Sequence, residues 1–436
     1  MASRKKNYFQ TMIESFDKIK KVEGELTLPG DKSISHRALM ISAMAEGKSV
    51  IFNISNGEDV KSTGKCLSKL GVEITDTDDK VIVKGVGFKK FAAPTGELFA
   101  GNSGTTVRLL SGILSAQNFQ SVITGDNSLS QRPMKRIIEP LKQMGGDISS
   151  NDFKLPLIIK PSINFKPINY KLPVASAQVK SAILFAGLHC EDETKVIETI
   201  PSRNHTEKML NLKTENTEAG KIIYVSKTDY PQPSDFFVPS DISTSAYFIV
   251  LSLLTPNSSL LIKNVSLNES RLGFINHLRK MCAKIDFENV NKNTIEPYGD
   301  LIVKSSELKN VPVSKKEIPN LIDEIPILSV AGLFAEGEFN LNNASELRYK
   351  ESDRIKAVVY NLRRLNIDVE EKPDGFIFDD NLKVNTADFE SFGDHRIAMS
   401  FTVLSMLMKD GGRVEGFNCV RISNPDFMEQ IQKVGE

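Results

Sequence analysis

Six segments of this chain repeat one order of residue types, and that repeat limits the fold more than any other feature. They begin DKSISHRALMISAMAEGKSVIFNIS, NSGTTVRLLSGILSAQNFQSVITGD, SAQVKSAILFAGLHCEDETKVIETI, DISTSAYFIVLSLLTPNSSLLIKNV, DEIPILSVAGLFAEGEFNLNNA and DHRIAMSFTVLSMLMKDGGRVEGFN. Each has a polar starter, a helix-like run of small and apolar residues, a short break and a β-type run. A second amphipathic helix follows in most, as in RLGFINHLRKMCAKI and DRIKAVVYNLRRLNIDV. The starters align as Asp31, Asn102, Ser176, Asp241, Asp323 and Asp394, separated by 71, 74, 65, 82 and 71 residues. All six are residue types that cap helix N-termini. Fixed-period self-similarity of this kind signals a repeat architecture.

Six units exceed one domain. Three per domain is the natural division, with a crossing near Pro239–Ser240. Strands alternating with helices place the chain in the α/β class. An ordinary doubly wound fold competes with this reading, but no GxGxxG follows a strand and no GxxxxGK[ST] is present. The fragment GVGFKK at 85–90 is too short and too basic to count.

The 55 basic and 55 acidic residues cancel, so nothing global favours nucleic acid or a membrane surface. Any anion site must come from local clustering. Four scattered cysteines (Cys66, Cys190, Cys282, Cys419) form no CxxC pair, which argues against structural zinc and a secreted disulfide framework. No apolar run approaches the roughly 18 residues of a membrane span. The opening MASRKKNYFQ lacks an apolar core, so it does not read as a signal peptide. The expectation is a soluble, cytoplasmic, monomeric protein, with residues 1 to about 20 a loosely held lead-in.

The charges do cluster. LPGDKSISHRAL sets Lys32 and Arg37 at a helix start with only Asp31 nearby. The dipole there favours anions, so cations imply that an anion joins them. Lys180, Arg203, Arg348, Lys350, Arg354 and Arg396 also lie near helix starts, and Arg132 opens a helix in SQRPMKRI with Pro133 at the favoured first position. Asp323, Glu324, Glu351, Asp353 and Asp394 accompany them in the last three units. Lys350 and Arg354, four apart, should share a helical face. One arginine at a helix start is usually solvated or paired, and Asp323 or Asp394 alone reads as a cap. His36, His205 and His395 have no partner at metal-ligand spacing. Recurrence changes the balance: independent units place cations at equivalent positions, which points to polyanionic ligands held between the units.

LPGDKSISHRAL, GNSGTTVRLL, SQRPMK, SAQVKSAIL, PSRNHTEKML, IDEIPILSVAG, ELRYKESDRI and FGDHRIAMS occur in order over nearly the whole chain. Together they resemble the 5-enolpyruvylshikimate-3-phosphate synthase family, in its bacterial branch with SAQVKSA. The resemblance implies a two-domain inside-out α/β barrel, each domain built of three βαβαββ repeats around a ligand cleft. The domains would be residues 1–28 with 239–436, and 29–238. It implies an enzyme that joins phosphoenolpyruvate to shikimate 3-phosphate and releases phosphate, with no cofactor and no metal.

By the same resemblance, Lys32, Ser33, Arg37, Ser176, Ala177, Gln178, Arg203, Asp323 and Lys350 would hold shikimate 3-phosphate. Lys32, Gly104, Arg132, Gln178, Arg354 and Arg396 would hold phosphoenolpyruvate. Asp323 would serve as base for the substrate hydroxyl and Glu351 as proton donor or acceptor, with Lys32 assisting. Glyphosate would occupy the phosphoenolpyruvate site, where Gly104 leaves room. Two positions depart from some relatives: Ile422 beside Arg421 replaces a lysine near the last helix, and Glu346 replaces an asparagine. The sister transferase acting on UDP-N-acetylglucosamine would carry a cysteine in the loop matching ITGDNSLSQRPM; none falls between Cys66 and Cys190. A non-catalytic binder of phosphorylated metabolites would need the cations but neither Asp323 nor Glu351.

Overall fold

The computed structural model describes residues 13–162, 164–379 and 384–436. Six small sheets and six buried helices realise the repeat. The helices are Lys32–Met44, Gly104–Leu114, Ala177–Gly187, Ile242–Leu254, Ile325–Leu333 and His395–Leu407. They are apolar nearly all round and are covered on every side, as such a composition requires; in Ile242–Leu254 every residue but the last is buried. In most units the second helix is amphipathic instead, with one exposed face, as in Glu58–Lys69 and Lys135–Gln143; in the third it is the short His205–Met209, with four of five residues buried.

Capping follows the sequence in four units. Asp31, Ser176, Asp241 and Asp394 each accept a backbone N–H from the first turn of their helix. Two units differ. Ser103, not Asn102, caps the second helix, since the next residue has an equally good cap oxygen. Asp323 caps nothing: it lies in a 3-10 turn, Ile322–Glu324, and the helix follows with Pro326 in its first turn.

Each sheet is built on an antiparallel core, and in five of the six an outer strand runs parallel to it. No sheet closes into a barrel among the described residues. Three outer strands come from far along the chain. Phe236–Phe237 pairs with Ile51–Phe52 in the first unit, and Glu23–Thr27 with Ser259–Lys263 in the fourth. Ile13–Phe16 pairs with Gly412–Glu415 and completes the sixth. The lead-in expected to reach residue 20 is therefore shorter, because its apolar Ile13 and Phe16 extend a sheet; residues 1–12 lie outside the described residues.

The buried apolar residues form two clusters. One runs from Ile34 to Val238; the other joins Phe16, Val22, Leu26 and Leu28 to residues between Ile242 and Val434. We call these the first and second halves. The chain passes between them twice, side by side. Gly30 bridges Ser240, the Asp31 N–H donates to the Pro239 carbonyl at 2.7 Å, and the Asp241 N–H to that of Pro29 at 3.0 Å. Within the first half, the second and third core helices touch along their backbones: a Cβ on Gly112 would lie 2.2 Å from the Ala182 carbonyl oxygen, so only glycine fits.

Candidate active site

The core-helix starts of both halves bring their charges together in one cluster where the halves meet. In the first unit, capping by Asp31 puts Lys32 at the first helical position. Its backbone N–H donates to Asp241 of the other half at 2.8 Å, and its Nζ reaches Asp59 at 3.0 Å. Ser33 follows in the same turn, and its carbonyl accepts from Arg37 at 2.8 Å. The remaining Arg37 donors go to Thr206 and Ser181, both at 2.7 Å. Arg37 is buried with no described carboxylate partner, and burial lowers its pKa to about 10.

In the second unit, Gly104 is the first residue of its helix. A Cβ there would meet the Arg108 guanidinium at 2.7 Å and that of Arg132 at 3.5 Å. Arg108 lies one turn on and donates to Gln178 Oε1 at 2.8 Å. It too has no described carboxylate partner, and burial lowers its pKa to about 10. Arg132 does not open a helix as expected. It follows the short helix Asn127–Gln131, and the next begins at Lys135, because Asp126 caps the earlier turn. Asn102 holds the Arg132 guanidinium at 2.6 Å, and Glu351 lies 3.7 Å away across the cleft.

The third unit supplies Ser176 as cap, Ala177 as first helical residue, and Gln178, whose amide donates to Thr105 at 3.0 Å. Lys180, two residues on, faces away from these groups. It is fully buried between Glu198 and Glu207, both at 2.8 Å. Arg203 precedes the short helix His205–Met209 and crosses to Asp323 at 2.5 Å.

The second half centres on Asp323. Besides Arg203 it takes Lys350 at 3.1 Å and Arg354 at 3.3 Å, while Arg396 donates to its carbonyl at 3.0 Å. Burial pushes the Asp323 carboxyl up, but Lys350, Arg203, Arg396 and Arg354 outweigh it and hold it well below the usual carboxylate range. Glu351 is similar: burial raises it, and Arg354, Arg132 and their neighbours bring it well down. Arg354 also clasps Asp394 at 2.8 Å, so the cap of the sixth helix orients the arginine of the fifth unit. Lys350 and Arg354 do not share a helical face. Asp353 caps a helix that starts only at Arg354, and Lys350 is extended before it. They meet through Asp323 instead.

His36 and His395 are buried. Burial, then the nearby Lys32 charge, pushes both pKa values well down and keeps them neutral. Arg348 pairs with Asp353 and Glu371, outside the cluster. Arg421 is exposed in the turn Phe417–Ile422 and makes no described contact with the cluster. No group of three or more potential metal ligands occurs among the described residues. No described helix is long and apolar enough to cross a membrane. A cavity of about 720 Å³ lies beside the crossings, between Leu26–Pro29, Asp76–Lys80 and the last helix, and contains none of these cations.

The chain matches the family model of EPSP synthase (3-phosphoshikimate 1-carboxyvinyltransferase) over residues 16–431. It belongs to the EPSP synthase family. The 3-phosphoshikimate 1-carboxyvinyltransferase of Petrotoga mobilis is 46% identical over 422 residues, 95% of this chain and 97% of that protein. The one from Aquifex aeolicus is 42% identical over 432 residues, 97% of this chain and all of that protein. The solved structure of EPSP synthase from Acinetobacter baumannii aligns with a TM-score of 0.85 at 39% identity, covering 97% of this chain and 98% of that one. The enolpyruvyl transferase NikO from Streptomyces tendae aligns with a TM-score of 0.77 at 13% identity, covering 97% of both chains, which speaks to the fold alone. Beyond the residues the sequence singles out, this EPSP synthase family member places Arg108 and Asp59 in the cluster. Arg108 had a signal, since it lies four residues after Gly104 on one helix. Asp59 sits in SNGEDVKSTG with nothing local to mark it.

Proposed function

We propose that this chain is a 3-phosphoshikimate 1-carboxyvinyltransferase. It transfers the enolpyruvyl group of phosphoenolpyruvate to the 5-hydroxyl of shikimate 3-phosphate and releases phosphate. The observation that carries this reading is an unbalanced charge cluster: Asp323 is shared among four cations, while Arg37 and Arg108 have no described carboxylate. Two ligands that each bear a phosphate and a carboxylate would balance it. Bidentate arginines suit both groups.

Shikimate 3-phosphate is held by Lys32, Ser33, Arg37, Ser176, the Ala177 N–H, Gln178, Arg203, Asp323 and Lys350. Phosphoenolpyruvate is held by Lys32, the Gly104 N–H, Arg132, Gln178, Arg354 and Arg396, and Arg108 adds a cation beside it. The 5-hydroxyl oxygen adds to C2 of phosphoenolpyruvate, Asp323 takes the hydroxyl proton, and Glu351 delivers one to C3 with Lys32 assisting. The C2–oxygen bond to phosphate then breaks, and C3 returns a proton as the double bond re-forms.

Held this far down, Asp323 is a poor proton acceptor, and Glu351 is ionised and must take up a proton before it can deliver one. Bound ligands remedy this, because their anions engage Arg203, Lys350, Arg132 and Arg354 and release those charges from Asp323 and Glu351. The two bodies of the fold, residues 1–28 with 239–436, and 29–238, close on the ligands about the paired crossings. The protein acts as a monomer in the cytoplasm. Mixing it with both substrates should release one phosphate per enolpyruvyl group transferred. No release with shikimate 3-phosphate, or release with UDP-N-acetylglucosamine in its place, would overturn the reading.

A further inference from the structure

Two ion pairs between the halves use groups that substrates would claim: Arg203 meets Asp323, and Arg132 meets Glu351 at 3.7 Å. Other contacts between the halves do not, among them His205 with Glu296 at 2.7 Å and Asn268 with Asn204 at 2.8 Å. One of these is an arginine–carboxylate pair on the same two segments as Arg132 and Glu351. Arg136, on the helix Lys135–Gln143 of the first half, meets Glu346, in the turn Ser345–Tyr349 of the second. The pair is bidentate, with Nη1–Oε2 at 2.7 Å and Nη2–Oε1 at 2.8 Å, and 210 residues separate the partners. Both side chains remain partly exposed, at 49% and 39%. Arg136 lies four residues after Arg132; Glu346 lies four before Lys350 and five before Glu351.

We propose that Arg136 and Glu346 are a positioning pair for the transfer reaction: a clasp between the halves that persists when substrates displace the Arg132 and Arg203 pairs. It keeps Lys350 and Glu351 in register with Arg132 while the ligands are held. The inference rests on the functional reading above, since it assumes that substrate anions take Arg132 and Arg203. An exposed ion pair inside one half would stabilise little. This one joins groups that separate when the cleft opens, so its whole effect falls on the open–closed balance and on apparent substrate affinity. The fork-to-fork geometry is the favourable one for arginine and carboxylate. Lys350 and Arg108 add to the positive field around Glu346 and favour its ionised form.

The test is charge reversal. Arg136→Glu and Glu346→Arg should each raise the KM of both substrates at least about threefold at low salt, near the range for a well-aligned exposed pair. Melting temperatures should stay within a degree or two of wild type. The doubly reversed protein, Arg136→Glu with Glu346→Arg, should return both KM values to within about twofold of wild type. The single-variant effect should shrink at 1 M salt, where screening acts within about 3 Å. Single variants with wild-type KM, or raised KM values that the reversed pair does not restore, would overturn the clasp. Wild-type protein that releases no phosphate would instead remove the functional reading beneath it.

Discussion

The two halves share one repeat but contribute different groups to the cleft. The first half supplies backbone N–H groups at small residues (Gly104, Ala177), hydroxyls, and cations with few carboxylates. Among the described residues its acidic groups there are the cap Asp31, which Arg271 of the second half approaches at 3.3 Å, and Asp59, held by Lys32. The second half interleaves Asp323, Glu351 and Asp394 with Lys350, Arg354 and Arg396. The same helix start thus serves two purposes. Without nearby carboxylates it is an anion cradle; with them it can also move protons. We read the first half as a holder of substrate and the second as a holder that also reacts.

The sharpest way to break this comparison lies inside the first half. Lys180 and Arg108 are both cations near helix starts, but Lys180 is balanced by two carboxylates and Arg108 by none. Lys180→Met should leave Glu198 without a cation and Glu207 with only Lys221 at 3.7 Å, and cost about 3–5 kcal/mol of stability, read as a lower denaturant midpoint. Arg108→Ala should leave the midpoint nearly unchanged and raise the KM of phosphoenolpyruvate about tenfold or more, as for a lost hydrogen bond to a charged group. A stable Lys180→Met protein, or an Arg108→Ala protein that only unfolds more easily, would mean the two cations have been sorted wrongly.

A comparable effect concerns how the halves respond to acid. His36 and His189 in the first, and His277 and His395 in the second, are buried with lowered pKa values, His189 to about 4. The unfolded chain binds protons at these sites from about pH 6.5 downward, whereas the folded one does not. Stability should be full above that pH and fall below it, by up to about 1.4 kcal/mol per pH unit for each histidine. Asp323 and Glu351 have lowered folded pKa values, so their contribution should persist to about pH 4 and be lost only beneath it. Denaturant melts at pH 7 and 5.5 check this. Equal midpoints would contradict the assignment of neutral histidines.

The smallest effect is expected at Gly104. It is helical without a positive φ, so alanine brings no backbone strain; the added methyl meets the flexible end of Arg108. Gly104→Ala should raise the inhibition constant of glyphosate several-fold more than the KM of phosphoenolpyruvate, with no fall in melting temperature. Equal loss for both ligands would make the glycine structural.

What the sequence revealed follows from how local each signal is. Asp31, Ser176, Asp241 and Asp394 were legible because a cap acts within one turn. Asn102 was one residue early because Ser103 competes for the same task. Asp323 reads as a cap and is not; its carboxylate is claimed by Arg203, 120 residues before it, and by Lys350 and Arg354, 27 and 31 after it. The spacing of Lys350 from Arg354 is helical, yet Asp353 starts the helix later. Arg136 and Glu346 could not be paired from sequence, since nothing local links partners so far apart.

The division of roles between the halves is tested most directly at Asp323. Asp323→Asn keeps the shape and removes the proton acceptor. With both substrates saturating, single-turnover phosphate release should fall by about a hundredfold or more. Calorimetry should find shikimate 3-phosphate still bound, because the cations around it remain. Turnover within a few-fold of wild type would contradict the account and leave Asp323 as a partner for cations alone.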